Sequence, residues 1–259
     1  MAMYSLKKSY QLKDLKELDF KDLWGDHGIF TTMWIFGKPP KILFFKSHIK
    51  NLIKSLQIFG IKKRFLKKDI LQIINKNLSI NKRYNHLLRI AINKKIISIS
   101  LRDRIPPKLD FNLKLVNLKR EKPKYKNLKY KKILSYLIRM DNSKSDIGLI
   151  NKKKILETGT SNLLFIKDDK VFSPSRNYYE GNTFKFFKTK INKIIKKDIY
   201  IKELNNYDEI ILVGSGKGVA SVKTINQIGW KRKSLRQFKI FSRYYHSAIK
   251  KCNQYNFEI

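Results

Sequence analysis

A polar turn that feeds directly into an apolar strand constrains this chain more than any other stretch. Glu157-Thr158-Gly159-Thr160-Ser161-Asn162 leads into Leu163-Leu164-Phe165, and Lys167-Asp168-Asp169-Lys170 then turns the chain back. Gly181-Asn182-Thr183 follows and opens the next helix. An acid and an amide thus flank a run of small residues. A Gly-x-Thr helix start presents free backbone N–H groups and the positive end of a helix dipole, a combination that favours an anion such as phosphate.

The chain has 259 residues, enough for one large core or two smaller ones. No apolar run approaches the length of a membrane span. Met1 to Phe20 is charged throughout and lacks an apolar signal core, so a cytoplasmic protein is expected. The single cysteine, Cys252, excludes an internal disulfide and a Cys-rich metal site. His27, His48, His86 and His246 are scattered, and no metal is expected. The net charge of +38 raises nucleic-acid binding. The lysines, however, are spread over almost every segment alongside many Ile and Asn, the bias an AT-rich coding sequence produces. No recognition helix, aromatic platform or Arg-rich tail stands out. A solvated basic surface is the expectation, without nucleic acid as a main partner.

Hydrophobic periodicity predicts a strand from Ile29 to Phe36, a turn at Gly37-Lys38-Pro39-Pro40 and a returning strand from Ile42 to Phe45. Ile49, Leu52, Ile53, Leu56 and Phe59 recur at helical spacing up to Gly60, and a second helix is expected over Asp69 to Leu78. Strands follow at Leu87 to Ile92 and Ile96 to Leu101. Pro106-Pro107, the charged run Lys119 to Lys126 and Pro123 mark a connection. The expected organisation is an α+β domain over 1–106, a connection over 107–125 and an α/β domain over 126–259. In the second half a helix is expected from Tyr130 to Arg139. Strands are expected at Ile147 to Ile150, Asn162 to Ile166 and Val171 to Phe172, then a helix from Thr183 to Ile195. Strands at Ile199 to Lys202 and Glu209 to Val213 come next. Ser234-Leu235-Arg236-Gln237 fits a capping box that opens a C-terminal helix.

Gly214-Ser215-Gly216-Lys217-Gly218 superficially suggests a nucleotide loop. Ile211 stands where the Walker sequence needs glycine, and Gly218 replaces the Ser or Thr that would hold magnesium. What remains is a glycine-lined turn with a hydroxyl at Ser215. It reads either as a set of N–H groups aimed at an anion or as a plain tight turn.

Taken in order, these pieces resemble the class IV, pyridoxal-phosphate-dependent aminotransferases. Asp208 to Ser215 is similar to the family's strand and hydroxyl turn over the cofactor phosphate. Trp24-Gly25-Asp26-His27-Gly28-Ile29-Phe30 resembles its Gly-Asp-Gly-x-Phe segment, and His48-Ile49-Lys50-Asn51-Leu52 its His-x-x-Arg-Leu helix. The resemblance covers about residues 20 to 245 and implies the two-domain fold-type-IV architecture, mixed α+β and α/β, with pyridoxal 5'-phosphate as cofactor and a homodimer. It implies Ser215 as a side-chain contact to the phosphate, with Asn182 and Thr183 giving backbone N–H groups. It implies Glu157 as the carboxylate facing the pyridine nitrogen, where an ionised acid keeps the ring able to accept electrons, with Asn162 beside it. Lys126-Asn127-Leu128-Lys129-Tyr130 is similar to the family's Lys-x-Leu-Asn segment. It implies Lys126 as the lysine that carries the cofactor and Tyr130 near the ring hydroxyl, with Lys122, Lys124 and Lys129 as competitors. Arg89 matches a substrate-facing position. Two departures stand out: Asn51 replaces the phosphate-binding arginine, and Phe184 replaces an arginine that often follows the threonine. Lys50, Lys54 and Lys185 are candidate substitutes, each a point charge rather than a two-pronged contact.

Phe30-Thr31-Thr32 resembles the lyase that converts 4-amino-4-deoxychorismate to 4-aminobenzoate and pyruvate in folate biosynthesis, since transaminases more often carry Glu at the position of Thr31. Leu87 stands where branched-chain enzymes have tyrosine. The lyase is the expected activity. An aminotransferase acting on branched-chain or D-amino acids is the alternative, and a non-catalytic basic binding protein on the same scaffold is a second one.

Overall fold

The computed structural model describes residues 3–257. The chain divides into two units. One comprises the residues up to Arg104, Tyr125–Lys131 and the residues from Lys251 on; the other comprises Ile105–Lys124 and Lys132–Lys250. Lys126 and Tyr130, expected with the second half of the chain, therefore belong to the first unit.

The first unit is an antiparallel sheet backed by two helices. Its elements are β1 (Tyr4–Gln11), β2 (Glu17–Leu18), β3 (Gly28–Gly37), β4 (Lys41–Ile42), α1 (Phe45–Ile58), α2 (Leu66–Asn77), β5 (Tyr84–Asn93) and β6 (Ile96–Asp103). The strand order is β2-β1-β6-β5-β3-β4. Strand alternation sends Ile29, Met33 and Ile35 from β3, and Leu88, Ile90 and Ile92 from β5, into one core. Ile49, Leu52 and Leu56 of α1, with Ile70, Ile73 and Ile74 of α2, cover it. Neither helix has a side-chain N-cap: each starts after a phenylalanine in the left-handed region, Phe44 (φ 56°) and Phe65 (φ 59°). Burial of the apolar face therefore holds these helices, as it does most helices in proteins.

The second unit contains β7 (Phe111–Asn117), α3 (Lys131–Leu137, from its second residue on), β8 (Ser145–Asn151), β9 (Lys154–Thr158), β10 (Asn162–Lys167) and β11 (Lys170–Pro174). It continues with α4 (Asn182–Lys188), β12 (Ile194–Lys197), β13 (Ile199–Tyr200), β14 (Glu209–Gly214), β15 (Gly218–Ile225), β16 (Trp230–Lys231) and α5 (Arg236–Lys250). Its sheet runs β12-β11-β10-β14-β15-β7-β8-β9-β13. The two ends of that path, β12 and β13, are separated in the chain by Asp198 alone. The sheet thus curls until its edges meet, which leaves few open edges to cap. Phe111, Leu113, Phe165, Ile210, Leu212, Val222 and Trp230 fill the interior.

Several elements depart from the sequence expectations. The helix predicted to reach Ile195 ends at Lys188, because Ile194 and Ile195 instead pair in parallel with Val171 and Phe172. The strand predicted over Ile42 to Phe45 stops at Ile42, and Phe45 opens α1. The strand predicted over Ile199 to Lys202 ends at Tyr200 and continues as a 3₁₀ turn over Ile201–Asn206. The stretch read as a connection contains β7, whose alternate residues Phe111 and Leu113 are fully buried. β1 escaped notice because its lysines mask the pattern, leaving Ser9 and Tyr10 as its buried residues.

Capping of α5 differs as well. Ser234 Oγ accepts the Arg236 N–H at 3.0 Å, while the buried carboxylate of Glu209 accepts the N–H groups of Gln237 and Phe238, both at 2.8 Å. Two orphan donors of the first turn are thus satisfied by an acid from β14 rather than by the local box. Glu209→Gln replaces an ionised acceptor with an amide that can offer only one oxygen. The expected cost is about 1.5–3 kcal/mol, read from the urea midpoint, whereas Ser234→Ala is expected to cost about 1 kcal/mol.

Candidate functional site

In the second unit the site is organised around Glu157 on β9, which is 2% exposed. Its Oε2 accepts from Arg120 Nη2 at 2.9 Å and from the Tyr179 backbone N–H at 3.4 Å. The side chains of both ions are almost fully buried. Asn162, at the start of β10, brackets the following loop. Its Nδ2 donates to the Tyr179 carbonyl at 2.6 Å, and its Oδ1 accepts the Gly181 N–H at 3.0 Å. That loop runs into α4, where Asn182 and Thr183 are buried. The Thr183 hydroxyl is buried with no hydrogen-bond partner among the described residues. Phe184 is also fully buried, edge-on to Tyr178, so the position of the missing arginine is part of the packing.

The turn after Glu157 is held from beneath. Thr158 Oγ1 accepts the Ser161 N–H at 2.7 Å and donates to Asp146 Oδ2 at 3.0 Å, and Thr160 donates to the same oxygen. Burial pushes the Asp146 carboxyl above its ordinary range, against the charge of Lys217 and these hydroxyl bonds. Gly159 is required here, because a Cβ would meet Asp146 Oδ1 at 2.9 Å. Gly214 is required for the same reason, since a Cβ would lie 2.7 Å from Ser161 Oγ. Close approach at Gly214 brings the turn carrying Ser215 beside Ser161. Gly214 pairs with Gly218, so the glycine motif is the tip of a β-hairpin. A nucleotide loop would instead join a strand to a helix.

In the first unit, residues 126–128 run antiparallel to the start of β3. The Phe30 N–H donates to the Lys126 carbonyl at 2.9 Å, and the Leu128 N–H to the Gly28 carbonyl at 2.9 Å. Gly28 permits this approach, because a Cβ would lie 2.7 Å from a Leu128 methyl and 2.3 Å from the Ile92 carbonyl oxygen. Lys126 is half-buried, with Nζ 5.0 Å from the centre of the Phe30 ring. Lys122, Lys124 and Lys129 are exposed, and Lys129 Nζ donates to the Gly25 carbonyl at 2.7 Å. Tyr130 stacks on Trp24 at 5.4 Å and stands edge-on to Phe30.

Arg89 completes this aromatic cluster. Its guanidinium lies 3.7 Å over the Trp24 ring, donates to the Asp22 carbonyl and keeps a buried Nε with no hydrogen-bond partner among the described residues. Burial pulls its pKa down to about 10, so it stays charged at neutral pH. Thr31 faces the other way, its hydroxyl 2.8 Å from His48 Nδ1 in the helix-backed layer. Thr32 is the β3 residue directly across from Arg89.

Each unit therefore gathers its own group. Glu157, Asn162, Asn182, Thr183 and Ser215 are linked in the second unit; Lys126, Tyr130 and Arg89 share the aromatic cluster in the first, with Thr31 apart. Sequence reasoning missed Arg120, Asp146 and Trp24. One signal for Arg120 was available: with 11 arginines against 47 lysines, an arginine marks a position where a two-pronged donor is needed. No cluster of three metal-ligating side chains occurs among the described residues.

Comparison with known proteins gives a consistent result. The model of the amino-transferase class IV family matches residues 28–225. A branched-chain aminotransferase from the thermophilic archaeon Thermoproteus uzoniensis superposes with a TM-score of 0.77 at 15% identity, over 97% of this chain and 96% of that one. A hypothetical aminotransferase from Mycobacterium tuberculosis, solved with bound PLP, gives 0.68 at 14% identity, over 94% and 99%. A Legionella pneumophila protein provisionally named 4-amino-4-deoxychorismate lyase gives 0.67 at 16% identity, over 86% and 91%. The fold is thus the mixed α/β fold of these enzymes. A sequence search of curated proteins found no match.

Arg120→Met strands the Glu157 carboxylate in the interior and is expected to cost about 3–5 kcal/mol of stability. Adding Glu157→Met should recover most of that loss in urea unfolding, because two apolar side chains replace two ions.

Proposed function

We propose, from the premise that this chain belongs to the amino-transferase class IV family, that it is a pyridoxal-phosphate enzyme that releases 4-aminobenzoate and pyruvate from 4-amino-4-deoxychorismate. The observation that carries the cofactor reading is the buried Glu157–Arg120 pair with the orphan Thr183 hydroxyl in the same unit. A buried hydroxyl without a partner costs free energy unless something accepts from it, and a phosphate oxygen would. The residues fit the group in kind: a fixed carboxylate for the ring nitrogen, N–H groups at Asn182 and Thr183, and the hydroxyl of Ser215. Asn51, half-buried on α1, supplies no charge to the phosphate, which predicts a more weakly held cofactor than an arginine there would give.

When bound, the cofactor supplies an electron sink for the carbon that loses a proton. Lys126 is the residue proposed to carry it, and its Nζ then takes that proton. Arg120, 2.9 Å from the Glu157 carboxylate, is the cation that favours its charged form, and the Tyr179 N–H fixes the carboxylate's orientation. Asn162 holds the 179–181 loop so that the start of α4 keeps its position. Arg89, buried, cationic and with a donor to spare, is suited to a substrate carboxylate.

One feature favours the lyase over a branched-chain transaminase: Leu87 is buried on the strand that carries Arg89, where branched-chain enzymes have tyrosine. The homodimer and the cytoplasmic setting are part of this proposal; no helix among the described residues is long and apolar enough to cross a membrane.

Borohydride reduction of the protein with its cofactor, followed by peptide mapping, is expected to find the label on Lys126 and to fail in Lys126→Ala; recovery on Lys122, Lys124 or Lys129 would refute the assignment. Supplied with 4-amino-4-deoxychorismate, the protein should form 4-aminobenzoate with no added keto acid. Turnover that appears only with a keto acid acceptor would make it a transaminase.

A further inference from the structure

The second unit has another concave surface, at the seam where its sheet closes. A cleft of about 330 Å³ there is walled by Lys119, Lys152, Lys154, Ser175, Arg176 and Asp198. Asp198, the acid in this wall, is already engaged: Lys154 Nζ lies 2.5 Å from it and the Ser175 hydroxyl donates to it. That pairing holds the Asp198 carboxyl below its ordinary range and the Lys154 ammonium above its own. Among the described residues Lys119, Lys152 and Arg176 form no salt bridge, and with Lys154 they give the cleft wall four cations against one acid, Asp198. A concave surface lined by one sign of charge raises the local concentration of counter-ions.

Two further features point to a ligand rather than to general basicity. Lys152 sits in the β8–β9 hairpin turn, where Lys152 and Lys153 adopt φ of 50° and 61°. Turns of this kind favour asparagine and glycine, so cations stand at the rim at some backbone cost. Arg176 offers the planar two-pronged fork suited to an oxyanion. The cleft is also distinct from the cradle at Asn182, Thr183 and Ser215, none of which lines it. It backs onto the buried ion pair instead, since Lys119 precedes Arg120 and Leu156, in its wall, precedes Glu157.

We propose that this cleft is a second anion site, which takes the phosphate groups of a phosphorylated small molecule. The excess of cations is more than a monocarboxylate needs, and a cleft of this volume suits a small molecule better than a nucleic-acid backbone.

The test is calorimetric titration of inorganic pyrophosphate into the protein as isolated, at roughly 0.15 M salt, where diffuse surface attraction is largely screened. One saturable site is expected, with affinity at least about tenfold weaker in Lys119→Ser/Arg176→Ser, the loss that follows from removing two charge-assisted contacts. The charge-matched control Lys67→Ser/Lys68→Ser, in exposed residues of α2, should keep the parent affinity. Ser215→Ala, which alters only the cradle, should keep it too, and this separates the cleft from the cofactor reading. Equal weakening in the cleft and control variants would reduce the cleft to general basicity. Loss in Ser215→Ala but not in the cleft variant would assign the binding to the cradle. Absence of saturable binding would also overturn the proposal.

Discussion

Burying a carboxylate costs several kcal/mol unless a partner charge and hydrogen bonds answer it, and the second unit is arranged around one such case. Glu157 is answered in the interior by Arg120, buried with it at 2.9 Å, and by the Tyr179 N–H, which closes on the same oxygen. That requirement reaches into three segments. It anchors the stretch after β7, which supplies Arg120. It anchors β9, which supplies Glu157. It anchors the loop before α4 through Tyr179. Asn162 then ties that loop to β10 at both its amide ends. An apolar pair of the same volume would often pack at lower cost, so packing alone does not account for the two ions.

Close backbone approach is the second constraint, and glycine meets it at three points. Gly28 lets the Lys126 segment lie along β3, Gly159 lets the turn rest on Asp146, and Gly214 lets the Ser215 hairpin come up to Ser161. In each case a Cβ would fall under 3.0 Å from another atom, which a packed interior cannot absorb without shifting. These residues place side chains they do not themselves carry. What these glycines supply is close approach rather than chemistry.

Much of the architecture was legible in the sequence because it rests on local pattern. The α1 and α2 periodicities, the β-branched, aromatic and apolar runs along β3, β5 and β6, and the apolar β10 and β14 all follow from which side chains must leave water. β1 and β7 were not legible. The first hides two buried residues among lysines, and the second was obscured by proline and charge on either side. The expected local cap of α5 gave way to Glu209 because a tertiary partner offered two strong acceptor contacts to the same first turn.

The sequence by itself determined the family, the mixed architecture and the order of the site pieces, since each depends on residues close together in the chain. Only the tertiary structure decided which charges answer one another. Arg120 and Glu157 are 37 positions apart, and although an arginine stands out among so many lysines, nothing in the local sequence pairs it with that acid. The structure alone likewise turned Thr31 toward His48 and left Thr32 across from Arg89. A strand's period of two puts neighbours on opposite faces, but which face meets the helices is settled only when the sheet packs.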